Sequence, residues 1–319
     1  MKQTFSDLIT IAQNGAGKDT STASQTFFKQ RINARHETIL AELPSHLSET
    51  NRTFSTVASR QYYHYPPQIR RVVSLTITIG SKDYTLTPVF SQKEWDQMNS
   101  LDIQAGAIPT HFFNRQRDFG IYPIPQDAYT GTIVYNIRAG GMTRTDYTTG
   151  TVTATENSDT VEGAGGVAWS TVANVVPDMW FSLSDANGES KGSWYRIESI
   201  TDADTLVLES VFEETTIAAA TYIIGECPEL PEEAHELLAF GAVADYFASF
   251  RQDLDKAQKW NNMFYTGDFN KETRDPTLIA GGLIGLKKKY DDRDESQLVQ
   301  RKPTYRTAND KLWASTITL

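Results

Sequence analysis

Gly15-Ala16-Gly17-Lys18-Asp19-Thr20 comes nearest to a chemical motif in this sequence. A phosphate-binding loop, G-x-x-x-x-G-K-[ST], cradles phosphates with backbone amides between a strand and a helix. Here Ala12 stands at the first glycine position and Asp19 at the Mg²⁺-binding hydroxyl. A carboxylate at that point repels phosphate, and the residues before it are helical in pattern, so nucleotide binding is not expected. The five histidines, His36, His46, His64, His111 and His235, form no H-E-x-x-H pair of the kind that holds zinc on one helix face. Cys227 is the sole cysteine, which excludes an intramolecular disulfide and a multi-thiolate metal site; no neighbouring histidine marks it as a nucleophile. Asp185-Ala186-Asn187-Gly188-Glu189 has some features of a calcium loop but lacks the required ligand order, and a hairpin turn accounts for it. Asp202 and Asp204 flank Ala203 in the manner of a turn. Trp169, Trp180 and Trp194 would stack on sugars if exposed; at strand spacing they fit a core. No catalytic, cofactor-binding or metal-binding residue is assigned.

The elements that would carry any site follow from periodicity. Phe5, Leu8, Ile9 and Ala12 recur at helical spacing, and Asn14-Gly15-Ala16-Gly17 stops that helix. Thr20, Ser21 or Thr22 can cap a second helix whose face is Phe27, Phe28, Ile32, Ile39, Leu40 and Leu43, ended by Pro44. Alternation then takes over at 53–57 and 72–79, with a hairpin return at 84–89, a short helix near 92–99, and strands near 111–114, 119–122 and 132–138. Residues 146–224 read as about six further strands, enough for a small β-barrel or sandwich. Helix resumes after Pro228, with Pro231 and Glu232, Glu233 and Glu236 suited to its first turn. A last helix covers about 253–265, and beyond Gly267 no periodicity persists.

The chain is 319 residues long with a net charge of −10, which is no polycation built to coat nucleic acid. The acidity is concentrated. Between Met142 and Glu226 three basic residues face fourteen acidic ones, net −11, so the rest of the chain sums to +1. From Leu286 onward eight basic residues face five acidic ones, net +3. No apolar run approaches the roughly 20 residues that span a bilayer, so no membrane partner is expected.

The expected class is α+β. N- and C-terminal helices (1–44 and 227–268) close as an antiparallel bundle, with Leu237, Leu238, Tyr246 and Phe247 as candidate contacts. A β-rich domain (45–141) and an inserted acidic β module (142–226) project from it, and 269–319 form an extended arm. This order resembles the head-to-tail connector (adaptor) proteins of tailed bacteriophages. The resemblance is carried by Gln61-Tyr62-Tyr63-His64-Tyr65-Pro66 with Ile69-Arg70-Arg71-Val72, by 84–89 followed by Glu94-Trp95-Asp96, by 119–125, and by Pro228–Leu238 with Ala242–Tyr246. It implies a non-enzymatic virion protein of the neck, assembled in the host cytoplasm. It further implies a homododecameric ring contacting the portal protein and tail or neck proteins, with DNA passing through without sequence-specific binding. Lys287, Lys288, Lys289, Tyr290, Leu312 and Trp313 are the expected partner-binding residues of the arm; the lysines would pair with an acidic portal surface, line the channel, or simply be solvated. A receptor- or carbohydrate-binding virion protein using the β module is the alternative, and a glycan hydrolase a third reading without nameable catalytic groups.

Overall fold

The computed structural model describes residues 2–65, 68–100, 108–115, 117–171, 174–185, 192–267, 282–287 and 289–290. The fold is mixed helix and sheet, and the chain divides into two compact units. One gathers 1–44, 143–227 and the chain from 231 onward; the other is 45–142 with 228–230.

In the first unit, helix α1 (Phe5–Gly15) begins on a reciprocal capping box: the Thr4 side chain accepts from the Asp7 amide, and the Asp7 carboxylate accepts from the Thr4 amide. Helix α2 (Thr22–Glu42) is capped by Ser21, one of the three residues expected, and buries Phe28, Ile32, His36, Ile39 and Leu40. A 3₁₀ turn at Glu232–Ala234 follows Pro231 and leads into α4 (His235–Asp245), numbered after α3 (Gln92–Ser100) of the other unit. Helix α4 is buried on nearly every side, because α1, α2 and α5 (Leu254–Thr266) all pack on it. A π-helical turn, Tyr246–Phe250, joins α4 to α5, and α5 ends on Gly267 at φ 74°, a left-handed cap that glycine adopts without a Cβ clash.

The same unit holds an antiparallel sheet of seven strands, one more than the sequence suggests: β9 (Thr151–Ala154), β10 (Thr160–Ala164), β11 (Trp180–Leu183), β12 (Tyr195–Ile200), β13 (Thr205–Leu208), β14 (Ile217–Ala220) and β15 (Tyr222–Gly225), in the order β14-β9-β10-β13-β12-β11-β15. Alternate residues point into one core around Trp169, Phe181, Phe212 and Tyr222. The sheet is entered through Gly150 at φ 85°, where a Cβ would stand 2.4 Å from the Ala164 carbonyl oxygen.

The second unit has two four-stranded sheets. One is β1 (Glu49–Ser55), β8 (Thr130–Ile137), β3 (Ile69–Ile79) and β4 (Lys82–Thr85); the other is β2 (Tyr62–His64), β7 (Asp118–Tyr122), β6 (His111–Asn114) and β5 (Thr87–Val89), each in that order. The expected 84–89 strand divides at Leu86, whose amide donates to the Leu75 carbonyl. After it, β5 leaves the first sheet and pairs in parallel with β6. Leu75, Ile77 and Ile133 from one sheet meet Tyr63, Phe112, Phe119 and Ile121 from the other in a shared core. Helix α3 (Gln92–Ser100) buries Trp95, stacked on Phe113, in a second cluster.

Candidate functional site

The helical contact residues named from sequence, Leu237, Leu238, Tyr246 and Phe247, are all buried. Tyr246 stands at the centre of a ring cluster with Phe27, Phe28, Phe247 and Phe250, at centroid distances of 5.1–6.0 Å. Phe250 at 43% and Leu254 at 72% relative exposure leave this end of the helices open to solvent. Asp19, the residue that spoils the phosphate motif, has a structural task here. Its carboxylate accepts from the Tyr246 hydroxyl at 2.6 Å, from the Arg251 guanidinium at 3.0 Å and from the Ser21 amide at 3.0 Å. The Tyr246 hydrogen bond, then those from Ser21, hold the carboxyl well below the usual carboxylate range. The loop between α1 and α2 is thereby tied to the π-helical turn. Arg35 of α2 adds a two-pronged pair with Asp245 of α4 at 3.1 and 2.6 Å.

In the arm, Lys288, Leu312 and Trp313 lie outside the described residues. Residues 283–287 form a helical turn where no regular structure was expected, and Leu283, Leu286 and Tyr290 are buried. Their i, i+3, i+7 spacing is helical but too brief to stand out from sequence. Lys287 pairs with Glu42, and Lys289 Nζ lies 2.6 Å from Glu233 Oε2. Both cations are therefore engaged within their own chain.

The remaining candidates resolve as structure. His235 Nδ1 accepts from the Gln3 amide at 3.1 Å. Cys227 is buried, and burial pushes its thiol far up, against nucleophilic use. Among the described residues no group of three or more histidine, cysteine or acidic side chains could hold a metal ion. Trp169 is fully buried and donates from Nε1 to the Tyr222 hydroxyl at 3.1 Å, so it cannot be the sugar platform that its residue type allowed. Trp180 is half-buried beneath Lys2, whose Nζ lies 2.9 Å from the ring centroid. Most of the 185–189 stretch lies outside the described residues. Asp146 accepts from Thr4 Oγ1 at 2.8 Å. Burial, with the charges of Asp7 and Glu226, pushes its carboxyl up to about 6 against the opposing hydrogen bonds of Thr4 and Ser6.

The second unit carries a groove of about 360 Å³ that sequence reading did not find. It is lined by Arg52, Thr53 and Phe54 of β1, by Arg60, by Tyr63–Tyr65, and by Phe119 and Ile133. The signal was hidden because sheet pairing, not spacing along the chain, assembles it. Among the described residues no helix is long and apolar enough to cross a membrane. No curated protein matches the chain. Residues 3–149, from the capping box of α1 to the entry of the seven-stranded sheet, match the family model of the SU10 adaptor protein, so this stretch of the chain is similar to that family.

Proposed function

We propose that the protein is a non-enzymatic ring component of a tailed phage neck, joining the portal to the tail while DNA passes through its lumen. The carrying observation is the family match over residues 3–149. The ordering of the chain supports the same reading: terminal helices meet in one unit while β material leaves and returns. Charge supports it as well. Tight DNA binding requires many lysine and arginine contacts to phosphate, whereas this chain has a net charge of −10, so a lumen it lined would let DNA slide. A twelve-fold ring, the portal and tail or neck proteins as neighbours, and the arm beyond Tyr290 as the docking element complete the proposal.

Quantitative mass spectrometry of purified virions tests it, counting this chain against the portal protein. A ratio near one is expected. Absence, or a ratio far from one, overturns the reading.

A further inference from the structure

We infer that copies of this chain join through the second unit: Phe90 of one copy inserts as an apolar knob into the groove between β1 and β2 of the next. The inference rests on the ring reading and adds the surfaces that make it.

Phe90 is the most exposed large apolar side chain among the described residues, at 87%. It sits between β5 and α3, one residue before Ser91, whose carbonyl accepts from the Trp95 amide in the first turn. At that position an apolar side chain ordinarily staples the helix start by packing on the residue five further on, here Trp95. Trp95 is instead fully buried and stacked on Phe113 at 5.4 Å, so Phe90 is left projecting from the edge of the sheet. An aromatic ring buries roughly 150–250 Å² when it finds a pocket, which makes it a typical interface anchor.

The groove supplies the matching recess. β1 and β2 are the end strands of the two sheets, and side chains from both line it. Tyr63, Phe119 and Ile133 form its buried base, whereas Phe54 and Tyr65 are half-buried and give it a solvent-facing apolar wall. Its volume of about 360 Å³ is ample for a phenyl ring, since about 150 Å³ already holds benzene. Arg52 and Arg60 at the rim are exposed, and among the described residues no carboxylate pairs with either. Helix α3, which opens beside Phe90, exposes Glu94 and Asp96 against Lys93, a complementary sign. A second copy is the occupant because knob and groove lie at opposite ends of one sheet. Three strand spacings of about 4.8 Å separate β5 from β2, beyond the reach of Phe90 into its own groove. The two patches differ, so the contact is heterologous and closes into a ring or runs on as a filament.

Replacing Phe90 with the photoreactive analogue p-benzoylphenylalanine tests it, in the purified full chain and in particles. Irradiation is expected to give a dimer in which the probe is joined to tryptic peptide 53–60 or 61–70 of the second copy. Arg52 shares the face of Phe54, so Arg52→Trp lays a ring across the mouth. That variant should lower the yield at least about tenfold, the loss expected when a central anchor is denied its pocket. The same probe at exposed Leu254 should give no groove product. No dimer in either sample, or photoproducts confined to other peptides, other proteins or DNA, overturns the inference. A virion ratio near one without the groove product removes this contact and leaves the adaptor reading intact. The groove product in solution, with no chain in virions, does the reverse.

Discussion

The two β regions bury similar side chains but carry charge differently. The seven-stranded sheet closes on a single core, with Trp169 Nε1 bonded to the Tyr222 hydroxyl and that hydroxyl donating to the Thr149 carbonyl at 2.6 Å. All of the chain's net negative charge sits in the 142–226 segment that forms it. The other unit divides its apolar residues between two clusters, and its nine basic and eight acidic residues nearly cancel. Core and surface charge are thus set independently. Alternation at buried positions fixes the sheets, while exposed positions are free to take whatever charge a neighbour requires, at the cost of self-repulsion that a complete core tolerates.

Trp169→Ala should break this picture most sharply. Removing a fully buried ring from the single core is expected to cost about 3–5 kcal/mol, measured by urea unfolding. A loss below about 1 kcal/mol would mean the core does not depend on one centre. Asp146, at the entry to the same sheet, gives a subtler test. Its folded-state carboxyl binds a proton more tightly than the unfolded chain does. Its contribution to stability is therefore complete below about pH 4 and is lost as pH rises through about 6. Asp146→Asn should flatten that fall in a pH series of thermal midpoints; an unchanged slope would assign it elsewhere. The smallest effect belongs to Lys289→Ala. Its pair with Glu233 is half-exposed, so the cost should stay under about 1 kcal/mol and shrink with added salt. A larger loss would show that the Leu283–Tyr290 turn depends on the ion pair rather than on its buried side chains.

Much of the fold was legible because local signals agreed. Ser21 and the 3.6-residue face of α2, the alternation of β3, and the acidic first turn before α4 each have a short-range cause. What was not legible was non-local. The division at Leu86 depends on a hydrogen bond to Leu75 and on pairing with β6. The role of Asp19 needed Tyr246 and Arg251, more than two hundred residues away. The groove needed strands β1 and β2 to be at sheet ends, which no window of sequence reveals. The family resemblance came from element order and a few quoted stretches, and the match over residues 3–149 covers three of those four.

The unit that contains both helices and acidic sheet is threaded from separate stretches of chain, whereas the other is nearly continuous. During synthesis, residues 45–142 can therefore mature soon after leaving the ribosome. Helices α1 and α2 emerge before that stretch yet must wait for α4, their common packing partner, until the residues up to Asp245 have been made. Phe28, Ile32, Leu8 and Phe5 stay uncovered through that interval. A product of premature termination would carry the same open faces, so quality control would meet it as a sticky fragment rather than as a smaller working protein.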